Sequence, residues 1–372
     1  MPFLDEQLPC YLTHTTEQTH AIIRENLEQS ALYGGMIGGT GVRYCPSIED
    51  KIVKFPDRAS HHVFIEPEGW DNCRIYPNGT SNSLPEEIQK EMIQSIPGME
   101  HAEFMRPGYA IEYDFCDPVQ LKHTLETKKV ENLYFAGQVN GTTGYEEAAG
   151  QGFVAGVNAV MKLRGDDPFI LGREEAYIGV LIDDLVTKGT EEPYRMFTSR
   201  AEFRLTLRQD NAPFRLLDKA RRLGLVGVDV LDELKGIQVN VESEIDRLQK
   251  TFHAGASLAK MLRRPGIGYA DLPDRNSSLS EEEMQLVETA VKYAGYIRRE
   301  HDRIESVSTL DKQLLPKEID YYDVPSLRRE SREKLTRVQP ENLGQAARIS
   351  GVNPSDIAII SVYIKRLKGN KD

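Results

Sequence analysis

Residues 127–156 read TKKVENLYFAGQVNGTTGYEEAAGQGFVAG, and the fold of the chain turns on this stretch. After Thr127 come five residues, then the short apolar run Leu133-Tyr134-Phe135-Ala136, then Gly137-Gln138. A run of this length and character predicts a buried parallel strand. The segment Gly137-Gln138-Val139-Asn140-Gly141-Thr142-Thr143-Gly144 follows as a glycine-rich loop, and a helix begins beyond it. Along that helix Ala148, Ala149, Gly152, Ala155, Gly156 and Ala159 recur at three- and four-residue spacing. One face is therefore predicted to approach a sheet or a cofactor closely. Glycines at a strand-to-helix crossover also occur in α/β proteins of every kind, so the local pattern alone leaves a plain crossover open.

On the N-terminal side the chain is rich in glycine, proline and short β-like runs. His62-Val63-Phe64-Ile65-Glu66 predicts a strand stopped by Pro67 and a Glu68-Gly69 turn, and Tyr76-Pro77-Asn78-Gly79 predicts another turn. Leu84-Pro85-Glu86-Glu87 opens a helix that ends near Pro97-Gly98. From about residue 166 onward the sequence becomes helical and highly charged. Met284, Val287, Val291 and Ala294 keep an amphipathic stripe. Asn353-Pro354 starts a last helix whose stripe is Ile357, Ile360, Ile364 and Leu367. The Ser- and Gly-containing stretch 253–280 is expected to be a flexible insertion.

The chain has 372 residues, 40% hydrophobic and 28% charged, which suits a soluble protein of two or three domains. No apolar stretch is long enough to span a bilayer, and MPFLDEQLPCYLTHTTEQTH lacks the pattern of a secretory signal. Cys10, Cys45, Cys73 and Cys116 are scattered without CxxC spacing, and the histidines show no metal-binding spacing. A metal site and a disulfide framework are thus not expected, and a cytoplasmic location is. The net charge of −12 argues against a general polyanion binder. Locally, however, Arg195, Arg200, Arg204, Arg208, Arg215, Arg221 and Arg222 crowd together, and Arg328, Arg329 and Arg332 form a second cluster. Such clusters serve phosphate contacts or line solvated, acid-paired helix faces.

Three further strings carry candidate chemistry. In GGTGVRYCPSIEDKIVKF, residues 38–55, Cys45 follows Arg43-Tyr44 and precedes Lys51. A cysteine near cations gains thiolate character and becomes a nucleophile, whereas a buried structural cysteine is the commoner alternative. In residues 175–216 the arginines suit phosphate or base contacts oriented by Asp183 and Asp184, and Tyr194 and Phe197 suit stacking on an unpaired base. The same residue types equally suit an arginine–carboxylate network locking the helical region in place. In the tail, Ala347, Gly351 and Ile357 stand at helix-turn-helix offsets. The second helix offers Ile357, Ala358, Ile359 and Ile360, a packing or docking surface and not a reader of DNA.

These strings together resemble the glucose-inhibited division protein A family (GidA/MnmG), flavoenzymes that modify tRNA, over nearly the whole chain. Thr127 to Gln138 is similar to the closing motif of flavoprotein dinucleotide-binding domains, with Gln138 where many relatives carry Asp. The implied fold class is α/β followed by an all-α C-terminal domain. Residues 1–124 would be a mixed α+β inserted domain, 125–165 a partial flavin-binding Rossmann-like domain, and 166–372 the helical domain that docks tRNA and a GTPase partner. The resemblance implies FAD held by Gly137, Gln138, Asn140, Gly141, Thr142, Gly144 and Glu146. It implies NADH met by Gly41, Arg43, Tyr44, Pro46, Ser47, Glu49, Asp50 and Lys51, and Cys45 in catalysis. Arg195, Arg200, Arg204 and Arg208 would contact RNA. The implied reaction adds a (carboxymethyl)aminomethyl group at C5 of the tRNA wobble uridine, using 5,10-methylene-tetrahydrofolate. The implied assembly is a homodimer that joins a tRNA-modification GTPase in a heterotetramer. No G-x-G-x-x-G follows a first strand, so the chain is expected to correspond to the family's C-terminal part, to bind flavin weakly or not at all, and to be inactive alone. A non-catalytic RNA or protein docking module is the alternative from another class. A folate-dependent tRNA uridine C5-methyltransferase and a small-molecule flavin oxidoreductase would both leave residues 166–372 unexplained.

Overall fold

Side chains that reach back to free backbone N–H groups set where several helices begin. Thr16 and Thr19 form such a capping box ahead of α1 (Glu17–Glu25), and Ser47 and Asp50 form one ahead of α2 (Ile48–Lys54). The structure, a computed structural model, describes residues 7–37, 46–316 and 319–369. It comprises two compact units. The first takes Met1–Cys116, Gly137–Gly144 and Glu191–Arg195; the second takes Asp117–Ala136, Tyr145–Thr190 and Met196–Asp372. The glycine loop and Glu191–Arg195 thus group with the first unit, across the boundaries expected at 124 and 165.

In the first unit β1 (Tyr11–His14), β2 (His62–Pro67) and β3 (Ile75–Asn78) form an antiparallel sheet in that order. Leu12 lies opposite Phe64, and Phe64 opposite Asn78. Val63 packs into a core with Ile23 of α1, Ile48 and Ile52 of α2, and Met92 and Ile93 of α3 (Glu86–Gln94). The strand and helix expected at 62 and 85 are present. Tyr76-Pro77-Asn78 was expected to turn but is strand; the turn comes at Gly79, with φ +101. Pro77 is tolerated because β3 is an edge strand, where a missing N–H breaks no ladder.

A histidine pair makes this unit sensitive to acid. His20 Nε2 lies 2.8 Å from Thr15 Oγ1, the His61 N–H donates to the same hydroxyl at 2.8 Å, and the two rings are 5.3 Å apart. Burial holds both rings below the usual histidine range, helped by His61 and Arg24 at His20, and by Lys51 and Arg58 at His61. Glu17 opposes the shift at His20 without reversing it. A lowered folded pKa means that the unfolded chain takes up protons first. The pair's contribution is therefore present above the unfolded value of about 6.5 and is lost as pH falls below it. Melting temperatures should drop below about pH 6.5, and His20→Gln should flatten that dependence. An unchanged slope in the variant would remove the pair as its cause.

The second unit is helical. Its elements are α4 (Tyr145–Arg164), α5 (Tyr177–Lys188), α6 (Ala212–Arg215), α7 (Leu217–Leu223) and α8 (Val228–Lys250). The hairpin β4 (Phe252–His253) with β5 (Ala256–Ser257) and then α9 (Leu258–Leu262) follow. The chain closes with α10 (Glu281–Asp311), α11 (Arg329–Val338), α12 (Leu343–Arg348) and α13 (Pro354–Gly369). Residues 253–280 are not a loose insertion. Leu258, Leu262, Tyr269 and Leu272 are buried with Leu248 of α8 and with Val287 and Val291 of α10. Four well-spaced apolar side chains outweigh the Ser and Gly content that suggested flexibility.

Leu133–Ala136 is likewise not a strand. Tyr134 makes a single antiparallel bridge to Glu126, and the Phe135 N–H donates to Leu125 O at 3.1 Å. Tyr134, Phe135 and Ala136 still pack on Leu121, Leu125 and Val154. The described residues offer no parallel neighbour to pair with, so the apolar run packs as a loop, with Tyr134, Phe135 and Ala136 partly buried and Leu133 40% exposed. On α4 the small-residue face divides in two. A Cβ at Gly150 would lie 3.3 Å from Ile178 of α5, whereas Gly152 and Gly156 face open space among the described residues. In the tail Ile357, Ile360 and Ile364 fill the core with Leu335 and Leu343, so this stripe packs internally and is not a docking surface. The second arginine cluster is structural too. Arg328 pairs with Asp356 at 2.6 Å, Arg329 with Glu333 at 2.9 Å, and Arg332 donates to Val324 O at 2.9 Å.

Candidate functional site

The loop Gly137–Gly144 opens with a 3-10 turn over Gly137–Asn140. Gly137 and Gly141 have φ of +78 and +75, a left-handed backbone that side chains with a Cβ resist. Within the first unit the loop is held at both flanks. The Cys116 N–H donates to Val139 O and the Tyr194 N–H to Gly141 O, each at 2.8 Å. Internally, the Gly141 N–H donates to Gln138 O at 2.8 Å and the Thr142 N–H to Gly137 O at 3.2 Å. Asn140 and Thr142 are fully buried, Gly137, Gly141 and Gly144 are buried, and Gln138 is exposed. Thr142 Oγ1 is a buried hydroxyl with no hydrogen-bond partner among the described residues. Glu146 is exposed in the first turn of α4. Glu147 beside it, which the sequence reading passed over, is buried and accepts the Met196 N–H at 3.0 Å. An exposed amide, an unmatched hydroxyl and glycine backbone fit the hydroxyl-bearing chain of a flavin. The loop has no Lys or Arg to neutralise a pyrophosphate.

The second string is placed only in part. Gly41, Arg43, Tyr44 and Cys45 lie outside the described residues. Pro46 precedes the cap of α2, and Ser47 and Asp50 are engaged in that cap. Asp50 also accepts from the Tyr33 hydroxyl at 3.0 Å. Glu49 is fully buried; its Oε1 accepts the Ser83 N–H at 2.8 Å and the hydroxyls of Ser30 and Ser83 at 3.1 Å. Lys51 Nζ reaches Gly79 O at 3.5 Å. Ser47, Glu49 and Asp50 therefore hold α2 in place, which is the structural work this motif does in the described residues.

The arginine string separates. Arg195 belongs to the first unit, and Arg200, Arg204 and Arg208 to the second. Arg204 is exposed, and Arg208 is partly buried, with Nε 2.9 Å from Asp210. Tyr194, expected to stack on a base, is 2% exposed and unavailable, while Phe197 is 46% exposed. Asp183 pairs with Arg173 at 3.1 Å and Arg348 at 2.8 Å, and His123 Nε2 lies 3.0 Å away. Asp184 pairs with Arg173 at 2.8 Å and Lys188 at 2.6 Å. Arg173 reaches Glu202 at 2.8 Å, and Arg348 reaches Asp311 at 3.0 Å. Burial alone would raise the Asp183 carboxyl, but His123 and Arg348 hold it well below the usual carboxylate range. An arginine–carboxylate network does exist here, but its cations are Arg173 and Arg348, which lie outside residues 175–216. Arg348 lies 165 positions from Asp183, beyond any local spacing rule.

Among the described residues no group of His, Cys, Asp and Glu is arranged to hold a metal ion, and no helix is long and apolar enough to cross a membrane. A small sheet with its helices, a glycine loop leading into a long helix and a helical C-terminal region define a mixed α/β chain with an appended helical bundle. Three family descriptions match it. They are glucose inhibited division protein A over residues 1–167, and the MnmG/GidA C-terminal helical domain and helical bundle over 228–301 and 303–372. The protein called tRNA uridine 5-carboxymethylaminomethyl modification enzyme MnmG in Alkaliphilus metalliredigens is 49% identical over 99% of this chain. Its counterpart in Latilactobacillus sakei is 51% identical over 98%. The chain spans 62% of the length of each of these relatives. The form I crystal structure of GidA from Aquifex aeolicus superposes with a TM-score of 0.83 at 48% identity, covering 98% of this chain and 61% of that one. The chain belongs to the glucose-inhibited division protein A (MnmG/GidA) family.

Proposed function

We propose that this chain serves the flavin- and folate-dependent addition of a (carboxymethyl)aminomethyl group to C5 of the tRNA wobble uridine. The observation that carries the reading is the loop Gly137–Gly144, with its left-handed glycines, exposed Gln138 and unmatched Thr142 hydroxyl. The name that the relatives carry supports the substrate and the reaction class. Gln138, Thr142 and the loop backbone would hold FAD, which when bound supplies the redox chemistry. Glu147 fixes the Met196 backbone behind the start of α4 and keeps the loop's exit rigid. Cys45 acts in this reading as the nucleophile that adds to uridine C6, with NADH as reductant and 5,10-methylene-tetrahydrofolate as one-carbon donor. The working assembly is a cytoplasmic homodimer that joins a GTPase subunit.

Thr142→Val tests the loop. It removes a hydroxyl that has no partner, so the folded chain should be unchanged or stabilised by up to about 1 kcal/mol. FAD affinity, followed by the visible absorption of the chain titrated with flavin, should fall about tenfold. A native chain that takes up no FAD would match the binding expected without the G-x-G-x-x-G element and favour the docking-module alternative. Equal affinity in both proteins would remove Thr142 from the flavin contacts.

A further inference from the structure

One face of α10 carries a buried carboxylate beside two exposed tyrosines. Glu300 is 8% exposed; its Oε2 accepts the Thr206 N–H and the Thr206 hydroxyl, each at 2.6 Å. This carboxylate fastens the loop that carries Arg204 and Arg208 onto α10. Residues four apart share a helix face, so Tyr296 stands one turn from that fastening, about 5.4 Å along the axis. Tyr296 is 57% exposed and Tyr293 47%, with ring centroids 6.4 Å apart and planes inclined by 54°. The guanidinium carbon of Arg299 lies 4.9 Å from the Tyr296 centroid. Over residues 292–303 the helix bears Lys292, Arg298, Arg299 and Arg303 against Asp302 and the buried Glu300.

The helix already has its core side in Val287 and Val291, so the tyrosines are not needed to bury it. Two exposed rings set among cations match the chemistry of single-stranded RNA, in which bases stack on aromatic faces and phosphates meet arginine. We propose that Tyr293 and Tyr296 form a stacking seat for unpaired bases of the RNA substrate, whose phosphates run onto the Arg204–Arg208 loop. Arg299 lies over one face of the Tyr296 ring and brings its positive charge to the seat. The assignment deepens, and rests on, the tRNA reading above.

The test is binding of labelled tRNA to the 372-residue chain over a salt series, with melting curves to confirm that each exposed-site variant folds. Tyr296→Phe should bind like the native chain. Tyr296→Ala should weaken binding about tenfold with an unchanged salt slope, because a stacking contact releases no counterion. Arg208→Ala should instead lower the slope by about one. Native affinity in Tyr296→Ala, with Arg208→Ala weakened, overturns the seat and leaves the tRNA reading standing. No saturable tRNA binding by the folded native chain overturns both. Native tRNA affinity in a Tyr296→Ala chain that sediments as a smaller species would make the rings a contact between copies, and the seat would again be wrong.

Discussion

Asp183→Asn should lower the stability of the second unit by about 3–5 kcal/mol, because it leaves buried cations without their anion. Asp183 is 3% exposed and answers Arg173, Arg348 and His123 together. The amide keeps the volume but removes the charge, and its NH2 must face at least one donor. Arg173 retains Asp184 and Glu202, whereas Arg348 retains only the half-exposed Asp311, so Arg348 bears most of the loss. A fall in melting temperature of roughly 10 °C is expected for a unit of this size. Asp183→Asn combined with Arg348→Met should recover part of it, since the second change removes the stranded cation. The sign with pH follows from the depressed carboxyl. Its contribution is complete above the unfolded pKa, about 4, and fades as pH falls toward the lower folded value. The gap between native and variant should therefore be constant near neutrality and close in acid. A variant that melts with the native chain would show that the network contributes nothing net.

That network also marks how far sequence reasoning reached. Elements with local causes were legible: α3 from Pro85 and its acidic first turn, α10 from its stripe, and α13 from Asn353-Pro354. Of the candidate flavin residues, those from Gly137 to Gly144 are near neighbours in the chain and share one loop, while Glu146 falls in the first turn of α4. What failed depended on distant partners. Leu133–Ala136 has strand composition, but strand is a property of a pair, and its bridge partner Glu126 is antiparallel. Tyr194 looks like a stacking residue until its burial is known. Asp183 and Asp184 lie close to the arginine crowd in sequence, yet they pair with cations outside it, among them Arg173, Arg348 and Lys188. The aromatic pair of α10 was hidden for the opposite reason, since tyrosines at positions 293 and 296 continue a helix that already had an apolar stripe.

Gly179→Ala should damage the fold through a single methyl group, and the same substitution at Gly156 should be harmless. A Cβ at Gly179 would stand 2.2 Å from Gly172 O and 2.7 Å from Leu171 O. Both are backbone atoms, and Gly172 O already accepts the Glu175 and Ala176 N–H groups at 3.1 and 3.3 Å. α5 cannot shift to make room, because Val180, Leu181, Ile182 and Leu185 are each 0–4% exposed. The loop cannot retreat without moving Arg173 away from Asp183 and Asp184. Alanine gains about 1 kcal/mol over glycine in a helix, but overpacking against immobile backbone costs about 3 kcal/mol or more, so the clash wins. Gly156, inside α4, has nothing within 4 Å of its Cβ position among the described residues. There the propensity term stands alone, and Gly156→Ala should stabilise the chain by up to about 1 kcal/mol. Chemical denaturation of the two variants gives both numbers. Equal and small effects would mean that the contact between α5 and the 171–172 loop is slack, and the rigid placement of the Arg173–Asp183 network would lose its footing. A loss at Gly156 would instead show that the open small-residue face of α4 is covered in solution, as its spacing first suggested.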